Sequence, residues 1–215
     1  MAQKNDFSPA SPLDISRPIS PKSVVYAGSK PLGMSPLCSI GPGSSFSVTK
    51  LDWNTHFLTH VDPPCHGVLG GATLDQIPLS RFMGPAIVVE ARGDCVELAD
   101  VPPDISGTSI LFKTRNSNTP TDAPFDPDYV YISAKAAAAL VRAKVNLVGI
   151  DYLSVDPFGD ETVPAHHALL GNNILILDGL DLSRVAPGHY TLFALPLRIS
   201  EGDGSPVRAV IIPTT

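Results

Sequence analysis

Residues 54–67 read N-T-H-F-L-T-H-V-D-P-P-C-H-G and bring His56, His60, Asp62 and His66 into one short stretch, three of the chain's six histidines among them. Two imidazoles and one carboxylate are a common donor set for a catalytic divalent ion, because three protein ligands leave a coordination position for water. An ion held in this way lowers the pKa of its water toward about 7 and polarises a carbonyl oxygen. The expected chemistry is hydrolysis, with His56, His60 and Asp62 as metal ligands. His66 is the catalytic candidate: an imidazole titrating near neutrality suits movement of a proton between water and leaving group. Cys65 lies out of phase with these donors and reads as a small buried thiol.

The donors need an element that presents them together. On a helix each residue advances about 100°, so His56 and His60 would share a face and Asp62 would point away. On a strand the period of two places residues 56, 60 and 62 on one side, with β-branched Thr55, Thr59 and Val61 at alternate positions. Pro63-Pro64 then ends regular pairing, and the turn that follows swings His66 back over the site.

Elsewhere, strand character marks Phe46 to Leu51, Ala86 to Ala91, Ser109 to Lys113, Leu147 to Ile150, Ile174 to Leu177, Tyr190 to Leu197 and Arg208 to Ile212. Several of these runs are apolar on both faces and are expected to be buried. The turn-forming Glu201-Gly202-Asp203-Gly204 predicts an antiparallel hairpin between the last two. Ser133 is an N-cap for an alanine-rich helix ending near Asn146, and a shorter helix is expected from Pro164 to Leu170 with Gly171 at its end. Pro78 to Phe82 makes one turn at most. From residue 13 to about 50, Pro, Gly and Ser allow only extended pieces and loops that wrap the core. The balance is a strand-dominated α/β domain.

A chain of 215 residues suits a single core. Its net charge of −6 disfavours nucleic acid as a partner, and no apolar run reaches the roughly 18 residues of a membrane span. Cys38, Cys65 and Cys95 are odd in number and far apart, which suits a reducing cytoplasm rather than a disulfide framework. Residues 1–12, polar and proline-bearing, are expected to be a flexible leader to a domain spanning 13–215.

The pattern from His56 to His66 resembles the H-x-G-T-H-x-D-x-P-x-H signature of the cyclase-like metal-dependent hydrolases, which include bacterial kynurenine formamidase and isatin hydrolase. Leu13-Asp14-Ile15-Ser16, Gly70 to Leu79, Phe82 to Ala86, Gly149-Ile150-Asp151, Ser154-Val155-Asp156 and Gly204 to Ala209 are similar to family segments in the same order. The resemblance implies a mixed, partly barrel-like β-sheet with a few peripheral helices, of the swivelling β/β/α type. It also implies two distal ligands in an H-x-x-L-L context and twelve residues beyond. Here these are His166, with His167 beside it, and Asp178 where the family carries glutamate. In a two-metal arrangement Asp62 would bridge one ion held by His56 and His60 and another held by His166 and Asp178. The bland alternative for Asp151 and Asp156 is that they are structural carboxylates receiving backbone N–H groups.

Two positions depart from the pattern: Leu58 replaces the glycine between the first histidine and the threonine, and Ser29 follows Gly28 where a carboxylate is usual. Tyr26 stands where relatives carry an aromatic lining the substrate pocket, so Tyr26 and Leu58 are the substrate-binding candidates. The resemblance implies a cytoplasmic, dimeric or tetrameric hydrolase with one or two ions, zinc or manganese, acting on a small-molecule amide. The leading substrate is an aryl formamide such as N-formylkynurenine. Two rivals use the same residues: a hydrolase or cyclase acting on a cyclic amide or lactone, and a metal-binding homologue with little catalysis.

Overall fold

The structure, a computed structural model, describes residues 11–214. The expected leader at 1–12 lies outside them apart from residues 11 and 12, which are exposed. In chain order the strands are β1 (Leu13–Asp14), β2 (Gly33–Cys38), β3 (Val48–Asp52), β4 (His60–Asp62), β5 (Met83–Glu90), β6 (Cys95–Val96) and β7 (Ser109–Lys113). They continue as β8 (Tyr131–Ile132), β9 (Leu147–Ile150), β10 (Leu175–Asp178), β11 (Gly188–Phe193), β12 (Ser205–Pro206) and β13 (Val210–Pro213). The helices are α1 (Ala134–Ala143) and α2 (Pro164–Leu170). One nine-stranded mixed sheet runs β1-β13-β11-β5-β7-β9-β10-β4-β12, parallel from β5 to β10 and antiparallel on both flanks.

This sheet has to curl. Seven strand spacings at about 4.8 Å would separate β12 from β13 by roughly 34 Å on a flat surface. Only the link from Pro206 to Val210 joins them, and at about 3.5 Å per residue it spans no more than roughly 14 Å. The two flanks are therefore drawn toward each other, as two contacts outside the strands also require: Ser16 beyond β1 bridges Leu180 beyond β10, and Pro196 beyond β11 bridges Val207 beyond β12. The partly barrel-like, mixed α/β architecture expected from the resemblance is present.

Alternation along the central strands divides the core. Ile110, Phe112, Val148, Ile150 and Ile176 face α1 and α2, where they meet Leu140 and Leu169. Leu111, Leu147, Leu175 and Leu177 face the concave layer with Val61, Phe82 and Leu192. Each such side chain, when fully buried, stabilises the fold by about 1.5–3 kcal/mol. α1 starts where expected, with Ser133 Oγ accepting the Ala136 N–H at 3.2 Å, and buries Ala136, Ala137 and Leu140. It stops at Ala143 rather than near Asn146, because Lys144 takes a left-handed conformation (φ 56°) that reverses the chain in time for β9.

β11 and β13 pair antiparallel as expected, and the bridge between Pro196 and Val207 continues their register toward the Glu201–Gly204 turn; β12, within the returning arm, also pairs with β4 at the far edge of the sheet. One expectation is corrected. The segment from residue 13 to about 50 wraps the core only up to Leu32. β2 and β3 form a separate two-stranded ribbon whose β3 residues are all exposed.

Candidate metal centre

β4 carries two of the donors, and its pairing partner supplies a third. In the antiparallel register of β4 with β10, Asp178 lies directly opposite His60 and Ile176 opposite Asp62. Residues facing one another in this way share a side of the sheet, so Asp178 joins His60 and Asp62 on one face. Donor atoms of His60, Asp62 and Asp178 all lie within 4.8 Å of one another, and all three residues are buried.

His56 reaches the same place by a different route from the one its spacing implies. Only residues 60–62 are strand; 54–59 is a loop, and Leu58 within it has a left-handed backbone (φ 51°). The strand reading of 56–62 is thus wrong for His56, whose position comes from the loop. Its Nδ1 lies 2.7 Å from Asp62 Oδ1, and its ring lies flat against Gly204, where an added Cβ would come within 2.6 Å of the imidazole. The left-handed turn at Leu58 points its carbonyl at His60 Nδ1, which donates to it at 2.8 Å and leaves Nε2 facing Asp62 Oδ1 at 3.3 Å. Glycine is the residue that adopts this conformation without cost, which accounts for its place in the motif. The Leu58 side chain does not enter the donor cavity; it packs with Val24, Leu32 and Phe57.

Across the strand pair, Gly179 (φ 69°) closes against the same loop. A Cβ there would fall 2.1 Å from Leu58 O. Thr59 Oγ1 donates to Gly179 O at 2.6 Å and accepts the Arg17 N–H at 2.9 Å. Arg17, buried, spends its guanidinium on the carbonyls of Asn116, Thr119, Asp151 and Leu180. The residues next to His60 and Asp178 are therefore held from both sides.

His66 sits on a one-turn 3-10 helix after Pro63-Pro64, as the two prolines require, and its ring centroid is 3.9 Å from that of His56 and 5.6 Å from that of His166. A nitrogen of His66 lies within 4.8 Å of donor atoms of His56 and Asp62. Asp62 thus belongs to both donor groups. His166 comes from α2, with Nε2 3.7 Å from Asp62 Oδ2 and Nδ1 2.6 Å from Asp156 Oδ2. Asp156 also accepts the Ala165 and His166 N–H groups. Asp151 is satisfied by the backbone and hydroxyl groups of Thr114 and Ser117, as the structural alternative for it holds. His167 turns to a neighbouring groove.

Charge separates these histidines. Burial alone would lower the His60 pKa, but the Asp62 carboxylate beside it outweighs this and pushes it up to about 9. Burial likewise opposes charge on His166, and its hydrogen bond to Asp156 together with the nearby Asp62 and Asp178 carboxylates raises it to about 10. His66 goes the other way: burial depresses it, only partly offset by Asp62, and repulsion from His56, His166 and His60 adds to the fall. Asp62 is held well below the usual carboxylate range, since its three imidazole neighbours outweigh burial. Asp178 is raised to about 7 by burial and by the Asp62 charge.

Three buried polar atoms in this cluster have no hydrogen-bond partner: His56 Nε2, Asp62 Oδ2 and Asp178 Oδ1. Buried polar atoms are nearly always satisfied, and three orphans among converging imidazoles and carboxylates fit a divalent cation. The donors line a cavity of about 350 Å³ whose remaining wall includes Tyr26, Ser29, Asn54, Leu153, Ser154 and Val163. Tyr26 packs edge-on against Phe125 and Phe158 at 5.3 and 5.9 Å, so the wall at that end is aromatic. Leu153 and Val163 were not singled out from sequence, and Ser154 only as part of a family segment; they are ordinary residue types placed there by the loops after β9 and before α2. Among the described residues no helix is long and apolar enough to cross a membrane.

Residues 13–157 match the Cyclase family model. A kynurenine formamidase from Salinibacter ruber is 39% identical over 213 residues, covering 93% of this chain and 96% of that protein. A second kynurenine formamidase, from Maricaulis maris, is 33% identical over 201 residues, covering 92% and 96%. A solved structure described as a potential metal-dependent hydrolase with cyclase activity superposes with a TM-score of 0.85 at 28% identity, covering 96% of this chain and 99% of that one. With a family match over more than half its length and a relative of this similarity along nearly all of it, the chain belongs to the Cyclase family.

Proposed function

We propose that this chain is a divalent-metal hydrolase that cleaves the C–N bond of a small aryl formamide, with N-formylkynurenine the leading substrate. The observation that carries the reading is the convergence of His56, His60, Asp62, His166 and Asp178 on three unpartnered buried atoms, with His66 beside them. Two relatives that are kynurenine formamidases support the substrate class. The five donors would hold the ion, Asp62 being shared where two are bound. A bound ion would lower the pKa of water and offset negative charge on the carbonyl oxygen.

The chain's own residues do the rest. His66, whose pKa is lowered by desolvation in the cluster and by the neighbouring imidazoles, accepts the proton of the attacking water and returns it to the departing amine nitrogen. Tyr26 and Leu153 offer the aryl ring an apolar face, and Ser29, Asn54 and Ser154 supply neutral hydrogen-bonding groups on the same wall. We further propose zinc or manganese as the ion, since imidazole and carboxylate donors suit both. The free thiols of Cys38, Cys65 and Cys95 support a reducing, cytoplasmic setting, and the exposed β2–β3 ribbon supports a homo-oligomer.

The test is turnover of formyl anilides and of cyclic amides by chelator-treated and ion-reloaded protein, beside His60→Ala. Formyl anilide hydrolysis that disappears with chelator, returns with the ion and is absent in the variant is the expected result. Full activity without metal, or turnover of cyclic amides alone, would overturn it.

A further inference from the structure

α2 begins without a cap of its own. Val163, which precedes it, has a left-handed backbone (φ 35°, ψ 58°) and offers no side-chain acceptor. The first free N–H groups of the helix go instead to Asp156: Ala165 N–H donates to Oδ1 at 2.6 Å and His166 N–H to Oδ2 at 3.0 Å. The same Oδ2 accepts from His166 Nδ1 at 2.6 Å. Asp156 is itself immobilised, 2% exposed, with its backbone oxygen accepting from Tyr129 Oη and its N–H donated to Ser154 Oγ.

A carboxylate without a proton only accepts hydrogen bonds, so the contact at Nδ1 places the imidazole proton there. When the ring is neutral, as a metal ligand has to be, Nε2 is the nitrogen with the lone pair, and it is the one that points at Asp62 Oδ2, an atom without a hydrogen-bond partner. One oxygen thus receives both the main chain and the ring of the same residue. The ring's rotation is thereby locked to the first turn of the helix, which a cap without the Nδ1 contact would not achieve.

We propose that Asp156 is a positioning residue for the metal centre: it fixes the tautomer of His166 and aims Nε2 at the ion site. The inference rests on the donor cluster being a metal centre. Outer carboxylates of this kind typically account for about 10–100-fold in metal affinity.

The experiment is calorimetric titration of chelator-treated protein with Zn²⁺ for wild type, Asp156→Asn, His166→Ala and the double variant, with ¹⁵N spectra of the imidazoles in the zinc-loaded wild type. Asp156→Asn should weaken binding about 10–100-fold, and the double variant should bind no more weakly than His166→Ala, because the aspartate acts through that ring. The spectra should show His166 protonated at Nδ1 and metal-bound at Nε2. Wild-type affinity in Asp156→Asn, losses that add in the double variant, or His166 bound through Nδ1 would each overturn the proposal. The spectra apply to the wild type and decide the matter even where a variant does not fold. Absence of Zn²⁺ binding by the wild type would instead sink the reading of the cluster as a metal centre.

Discussion

The paired strands β4 and β10 and the ribbon β2–β3 are built on opposite terms although only residues 53–59 separate them. In the first, every residue is buried, and the backbone on either side is clamped by Thr59, Gly179 and Arg17. In the second, Met34, Leu37, Val48 and Leu51 are exposed, as are Ile40 and Phe46 in the loop between the strands. An isolated two-stranded ribbon is marginal in water. A functional centre needs side chains held within a few tenths of an ångström, and the chain spends its packing there. The ribbon carries apolar side chains with nothing of its own fold to cover them. Apolar content alone does not separate the two regions; neighbours do.

Substitution inside the centre should have the largest effect. Asp62→Ala removes the carboxylate shared by both donor groups and should lower kcat/KM by roughly 10³-fold or more, on the scale of the charge stabilisation an ion provides. Steady-state assay at saturating metal checks this, and retention of a tenth of the activity would break the contrast. Two glycines sharpen it further. Gly179 and Gly43 both have left-handed backbones, at φ 69° and 97°, but a Cβ meets Leu58 O at 2.1 Å in the first and nothing within 4 Å in the second. Gly179→Ala should therefore destabilise by about 3 kcal/mol or more through overpacking as well as strain, and Gly43→Ala by about 1 kcal/mol through strain alone. Urea denaturation measures both, and equal losses would contradict the account of the clamp.

The centre's charge state gives a smaller, pH-dependent effect. His60 and His166 have folded pKa values of about 9 and about 10 without an ion, above the ordinary 6.5. Their contribution to ion-free stability is complete below pH 6.5 and is lost as pH rises through 9 to 10. At pH 7 both rings, and about half of the Asp178 carboxyl groups, carry a proton that an incoming ion has to displace, so binding should release between about two and three protons. Calorimetry in two buffers of different ionisation heat reads this number directly. Zero release would mean that the rings are already neutral, and the argument from Asp62 and Asp156 would fail.

How much of this was legible in the sequence follows from the kind of interaction involved. β7 and β9 were placed to the residue, because a run buried on both faces of a parallel sheet is apolar throughout, and Ser133 and Pro164 announced their helices. The proximal donors were legible because they lie close together in the chain. The structure brings these residues together, but one of the elements that carry them is not a strand. Strand periodicity put His56 on an edge it does not occupy, since nothing local in Phe57-Leu58 signals a left-handed turn, and the Gly179 backbone that packs against it comes from the end of distant β10. His166 and Asp178 were found through the family resemblance; the β4–β10 register that brings Asp178 opposite His60 is a property of the sheet and leaves no mark in either segment. Likewise, Phe46 to Leu51 has true strand character, and the alternation of residue types there does not reveal that nothing packs on it.

The smallest effect on the fold should come from the ribbon, and it carries the test of the other half of the comparison. Ile40 and Phe46 are 73% and 65% exposed, so replacing both by serine removes almost no packing within one chain. The unfolding free energy of a dilute, dissociated sample should stay within about 0.5 kcal/mol of wild type for each substitution. The same side chains would lie at the centre of contact if a second copy covers the ribbon. The six exposed apolar residues of the ribbon offer roughly 600 Å² per copy, and two copies approach the about 1,200 Å² at which specific interfaces begin. Sedimentation at micromolar concentration should then show a homo-oligomer for wild type and a lower mass for Ile40→Ser/Phe46→Ser, with turnover per chain reported alongside. If both proteins sediment as monomers, the ribbon is not a self-association surface. If mass falls and turnover per chain is retained, the ribbon serves assembly and each centre works alone; if turnover falls with mass, the loop that carries Asn54 and His56 into the cavity depends on a covered ribbon to hold its place.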